Sequence, residues 1–127
     1  MTDTDNTLRQ FGETAGIADL SFDSRGQVVF RTGQGRLLGL EHAGPNILVY
    51  IASPIRYEAG AWLLKACKRA HHTHLEDWPI QAALRDYDGT PYLLALVCMR
   101  ESEFTERRLL AALHHLSHWL DALHNES

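Results

Sequence analysis

Eight histidines in 127 residues are the first feature of this chain that points to chemistry. His71, His72 and His74 cluster in mid-chain, and His114, His115 and His118 fall together near the C-terminus. His114 and His118 are four apart, so on a helix they share a face, the geometry with which two imidazoles chelate a metal ion. A zinc-protease signature also needs glutamate directly after the first histidine, and that position holds His115. Without it, the residues read as a polar helix face opposite a leucine stripe. A metal-dependent enzyme using these clusters stays as an alternative, one that stoichiometric metal in tag-free protein would favour.

Other catalytic patterns are weaker. Cys67 and Cys98 each lie among apolar residues, whereas a reactive thiolate needs an electropositive, polar setting. They are expected to be buried, reduced thiols. The serines fall at turns and caps, with no nucleophile-elbow sequence. Glu76 with Asp77, and Glu101 with Glu103, sit at element ends, where a solvated carboxylate needs no catalytic role. Gly33-Gln34-Gly35 lacks the third glycine and the Lys-Ser or Lys-Thr of a phosphate loop and reads as a turn. No cofactor is implied.

Composition narrows the class further. The chain is 45% hydrophobic and 22% charged, ordinary for one globular domain spanning 1–127. Twelve basic residues face sixteen acidic ones, a net charge of −4. Phosphate backbones demand concentrated Lys and Arg, so nucleic acid is not the expected partner. The start, Met1-Thr2-Asp3-Thr4-Asp5-Asn6, lacks the charged and apolar regions of a signal peptide, and no apolar run approaches the ~20 residues that span a bilayer. The expected location is the cytoplasm.

The elements that would position any site follow from periodicity. Asp5 or Thr4 can cap a first helix carrying Leu8, Phe11 and Ala15 at helical spacing, with Gly16 ending it. Strand-like runs follow at Leu20-Ser21-Phe22, Gln27 to Arg31, Arg36 to Glu41 and Ile47 to Ile51, separated by Asp23-Ser24-Arg25-Gly26, Gly33 to Gly35 and Gly44-Pro45-Asn46. Their closeness in sequence predicts an antiparallel meander. Ile55, Ala59, Trp62, Leu63, Ala66, Cys67 and Ala70 form the apolar stripe of a second helix, with basic residues late in it. Ile80 to Tyr87 and Tyr92 to Met99 flank Asp88-Gly89, a hairpin turn. Ser102 can cap a last helix bearing Leu109, Ala112, Leu113, Leu116, Trp119, Leu120 and Leu123. The class is α+β: an antiparallel twisted sheet of about five strands with three helices, in the order α-β-β-β-α-β-β-α.

This order, the size and the acidic balance resemble the class I chaperones of bacterial type III secretion, the Tir-chaperone-like family. The resemblance covers nearly the whole chain. It is clearest from Leu8-Arg9-Gln10-Phe11-Gly12 through Gly16-Ile17 to Leu20-Ser21-Phe22-Asp23, then at Leu37 to Glu41, at Ile47-Leu48-Val49-Tyr50, and in the closing helix around Leu109 to Leu113 and Trp119. The chain departs from the family pattern between Lys68 and Trp78, where His71-His72-Thr73-His74 replaces a more apolar stretch. The resemblance implies a cytoplasmic homodimer, neither an enzyme nor a cofactor binder. Its partner would be the N-terminal region of a secreted effector, held non-globular and ready for secretion.

Two surfaces are expected on that basis. Pockets for effector side chains are sought near Leu8, Phe11, Phe22, Val29 and Phe30, beside an open sheet edge that can accept a strand. The dimer interface is sought on the second helix, at Trp62, Leu63 and Ala66, with Leu94 and Leu96 of the hairpin. A secretion-apparatus component or regulator that pairs with a different small protein is the other binding reading, and a stable heterodimer would favour it.

Overall fold

A computed structural model describes residues 3–32, 35–55, 58–73 and 78–125. Helix α1 spans Asp3–Ala15, strands β1 to β3 span Gln27–Arg31, Leu37–Ala43 and Asn46–Pro54, and α2 spans Ala59–Thr73. Strands β4 (Gln81–Tyr87) and β5 (Thr90–Arg100), a short 3-10 turn at Glu101–Glu103 and α3 (Glu106–Asn125) complete the chain. The predicted order of helices and strands is therefore the observed one. The five strands form one sheet, ordered β1-β2-β3-β5-β4, with every neighbouring pair antiparallel.

Strand alternation divides the sheet into two unlike faces. The inner face carries Leu38, Leu40, Ile47, Val49, Ile51, Leu93, Ala95, Val97 and Met99, all buried under the helices. From α3, Leu109, Ala112, Leu116, Trp119, Leu120 and Leu123 pack onto it, and Leu8 and Phe11 of α1 join the same cluster. Each such leucine taken fully out of water contributes about 1.5–3 kcal/mol. The outer face holds a smaller cluster of Leu37, Tyr50, Ala52, Tyr92 and Leu94, with no helix packed over it among the described residues.

Local chemistry sets the element ends. Gly16 has φ +81°, and the Ile17 N–H reaches the Gly12 carbonyl at 2.7 Å while the Gly16 N–H reaches Glu13 at 3.3 Å. This pair of bonds is the glycine-ended helix stop expected at Gly16. Asp88 and Gly89 both have positive φ, as a two-residue hairpin loop requires.

Four sequence expectations are corrected. Leu20-Ser21-Phe22 is not a strand: the chain runs irregularly there and lays Leu20 and Phe22 over the core. Helix α1 already includes Asp3, so Thr4 and Asp5 lie within its first turn, and Thr4 is buried. The last helix is capped by Thr105, whose Oγ1 accepts from the Arg108 N–H at 3.2 Å, because Ser102 is taken up in the 3-10 turn. Finally, Cys67 and Cys98 are both exposed. Cys67 sits on the solvent side of α2, and Cys98 pairs with Leu48 on the uncovered sheet face.

Candidate partner-binding surface

Strand β1 forms one edge of the sheet. Gly26, Val28 and Phe30 direct their backbone groups toward β2, as the 2.7 Å bond from the His42 N–H to the Gly26 carbonyl shows. In an antiparallel ladder the alternate residues turn their N–H and C=O the other way. Gln27 spends its own on the preceding turn: its carbonyl accepts from the Asp23 N–H at 2.8 Å and its N–H donates to Asp23 Oδ1 at 2.9 Å. The Asp23 carboxylate also accepts from the Arg25 N–H, and these two amide bonds hold its pKa below the ordinary carboxylate value. Val29 and Arg31 keep the same outward direction without a backbone partner among the described residues. The result is a short edge ready to pair with an incoming strand.

Side chains beside this edge divide between the faces. Phe30 is half-buried on the inner face, its ring 6.4 Å from that of Phe11. Phe22 is half-buried nearby, 5.6 Å from the His42 ring. Leu8 and Phe11 are core residues, with Phe11 only 4% exposed. They support Phe30 from below and present almost no surface of their own. Val29 is 42% exposed but points to the outer face, opposite Gly39. Of the five sequence-derived positions, four therefore share the inner side of β1, and only Phe22 and Phe30 among those four offer contact area.

Next to Phe30 along the sheet lie Leu38 and then Ile51, its successive cross-strand partners. Over them, between the sheet and α3, opens a groove of about 610 Å³ that the sequence reading missed. Leu38, Ile51 and Leu113 make its apolar lining, and Arg36 and Asp121 pair within it at 2.9 Å. His114 and His118 stand along the α3 side, rings stacked with centroids 4.8 Å apart. The i, i+4 histidine spacing was visible in the sequence. That Arg36 would face it was not, because the meander brings together residues nearly 80 positions apart.

Among the described residues the histidines do not converge on one ion site. His71 and His72 fall in the last turn of α2, and His74 lies outside the described residues. His115 turns its Nε2 to the Trp78 carbonyl at 3.2 Å. No group of three or more His, Cys, Asp or Glu side chains able to hold a metal forms among the described residues. His124 lies beneath the Trp62 ring, centroids 4.8 Å apart, and within 3.0 Å of the Ser53 hydroxyl. Burial, reinforced by the nearby Arg36 charge, holds its pKa below 6.5.

The sequence-derived dimer patch is split by the fold. Helix α2 packs on the inner side of β4 and β5, with Ala66 fully buried and Trp62 and Leu63 half-buried against the core. Leu94 and Leu96 point to the outer face, Leu94 inside the small cluster and Leu96 half-buried at its border. The exposed apolar groups on this flank are instead Leu64, 59% exposed, and Leu84 of the edge strand β4. No helix among the described residues is long and apolar enough to cross a membrane.

The sequence matches no protein-family model and no curated protein. Solved structures do match the fold. ExsC in the ExsC–ExsE complex superimposes with a TM-score of 0.71 at 18% identity, over 97% of this chain and 92% of the other. The HopA1–SchA chaperone–effector complex gives 0.62 at 18% identity, over 90% of each chain. The Yersinia pestis type III secretion chaperone SycH, in complex with a stable fragment of YscM2, gives 0.61 at 15% identity, over 98% and 99%. The chain thus has the fold found in type III secretion chaperone complexes.

Proposed function

We propose that this protein is a cytoplasmic class I type III secretion chaperone that binds the N-terminal region of a secreted effector and keeps it non-globular until export. The observation that carries the reading is the open β1 edge flanked by the half-buried Phe22 and Phe30, on a fold otherwise seen holding protein partners. Backbone bonds along Val29 and Arg31 would supply sequence-tolerant affinity, and side-chain contacts at Phe22 and Phe30 would select apolar anchors. Each anchor fully buried is worth about 1.5–3 kcal/mol before ordering costs, so several spaced anchors are needed to hold an unfolded segment.

The chaperone would act as a homodimer, with the exposed flank of α2 and β4 around Leu64 and Leu84 joining the half-buried Trp62 and Leu63 in the contact. Co-purification with effectors expressed in the same cell tests the proposal. Expected is a complex in which the effector's first segment is bound yet cut readily at its unbound stretches by protease. An effector that stays globular in the complex, or a wild-type chain that captures none, would sink it. A stable pairing with one apparatus protein in place of effectors would support the regulator reading.

A further inference from the structure

We propose that the groove between α3 and the β2–β3 sheet is a receptor for a single carboxylate side chain, Asp or Glu, set among apolar residues of a bound polypeptide. The inference rests on the polypeptide-binding reading above and adds the chemistry of the residue the partner must supply.

Arg36 carries the argument. Its side chain is only 12% exposed, and Nη2 is paired with Asp121 Oδ1 at 2.9 Å. Its Nη1 is shielded from solvent and has no hydrogen-bond partner among the described residues. A guanidinium has five N–H donors in a planar fork, and one carboxylate oxygen does not satisfy them. A shielded donor left unmade carries the desolvation cost of burial with no return, so a small turn of the guanidinium that brings Nη1 against an incoming oxygen ligand is favoured. A carboxylate fits best, because charge-assisted bonds to arginine are short and strong.

The rest of the groove says what the carboxylate is attached to. Leu38 and Ile51 lie directly opposite one another on adjacent strands, and Leu113 faces them from α3. Such a lining rewards apolar neighbours and disfavours a free, fully hydrated anion. The stacked His114 and His118 add ring N–H donors on the α3 side. The groove also continues the row that begins at Phe30, so a polypeptide pairing with β1 can reach it without leaving the inner face.

The test uses the full chain and two blocked peptides, acetyl-Leu-Ala-Glu-Ala-Leu-amide and its glutamine counterpart, titrated while side-chain NMR signals are followed. Expected are shifts at the Arg36 guanidinium and at the Leu38, Ile51 and Leu113 methyls, with the glutamate peptide binding at least tenfold tighter. Arg36→Gln should reduce the glutamate peptide to the level of glutamine. Because that variant also removes the Arg36–Asp121 ion pair, Asp121→Asn is the second arm: it frees Nη2, lifts a like charge, and should tighten glutamate binding at least threefold. Equal binding of the two peptides, or weaker glutamate binding by Asp121→Asn, overturns the proposal. Should the peptides fail while effectors are still captured through the β1 edge, the groove assignment falls and the chaperone reading stands.

Discussion

Phe11 and Phe30 lie ring against ring, yet they do different work. Phe11 closes the core beneath α1, so Phe11→Ala should cost about 3–5 kcal/mol of stability in urea denaturation. Phe30 keeps part of its ring at the surface, and Phe30→Glu should leave the circular-dichroism spectrum intact while abolishing effector capture. Unchanged capture by Phe30→Glu would remove that residue from the binding surface. Sequence pattern placed both on one side of the molecule, but helical and strand periodicity mark only which face turns inward. They do not tell the bottom of a core from its rim, which depends on what the irregular Leu20–Phe22 segment covers. The same blindness made the cysteines look buried: apolar neighbours along a helix or strand do not decide which face a given residue takes.

His124 adds a pH dependence at the same scale. Its folded pKa is below the ordinary 6.5, because its ring is partly buried against Trp62 and close to Arg36. Above pH 6.5 the ring is neutral in both folded and unfolded chains, and its contribution to stability is fully present. As pH falls through 6.5 the unfolded chain takes the proton first, so stability declines until the lower folded pKa is passed. Urea midpoints between pH 8 and pH 5 should therefore decrease, and His124→Gln should flatten that decrease. An identical pH slope in wild type and variant would show that other groups set it.

Elements were the most legible scale. Three helices, the hairpin at Asp88-Gly89 and the Gly16 stop were all written in local periodicity and turn chemistry, which act within a few residues. The strand order was not, because β5 inserts between β3 and β4, a non-local choice; β4 then forms one edge of the sheet and β1 the other. The β1 edge makes a sharp prediction. Val29 directs its N–H away from β2, so Val29→Pro removes one outward donor while sparing the ladder to β2. The variant should fold, with a thermal midpoint within a few degrees of wild type, and should lose most effector affinity if the partner pairs as a strand. Val28→Pro is the control: its N–H faces β2, and it should destabilise the fold instead. Capture by Val29→Pro at wild-type strength would leave side-chain pockets, not strand addition, as the mode of binding. Gly39 shows the converse limit on the ladder's other face. The Tyr50 ring lies across it so closely that a Cβ there would fall 2.1 Å from the ring, and Gly39→Val should expel Tyr50 from the outer cluster.

At the scale of the whole molecule, the two sheet faces pose the question of what completes the fold. Among the described residues the inner face is covered by three helices, whereas the outer face keeps a small cluster, and Leu64 of α2 and Leu84 of β4 are exposed on the flank opposite the β1 edge. A domain of this size buries only about two thirds of its unfolded surface, so further burial between copies adds disproportionately to its stability. If two copies join through the α2–β4 flank, each leaves its β1 edge at the far side of the sheet, and one extended polypeptide can engage both edges in turn. Light scattering at micromolar concentration should then report a dimer, and Leu64→Glu with Leu84→Glu should return it to a monomer of unchanged helical content. The thermal midpoint of the wild type should also rise with protein concentration, since association stabilises by mass action, and that dependence should vanish in the double variant. A wild-type mass of a single subunit, with a midpoint indifferent to concentration, would mean that any partner meets one β1 edge at a time.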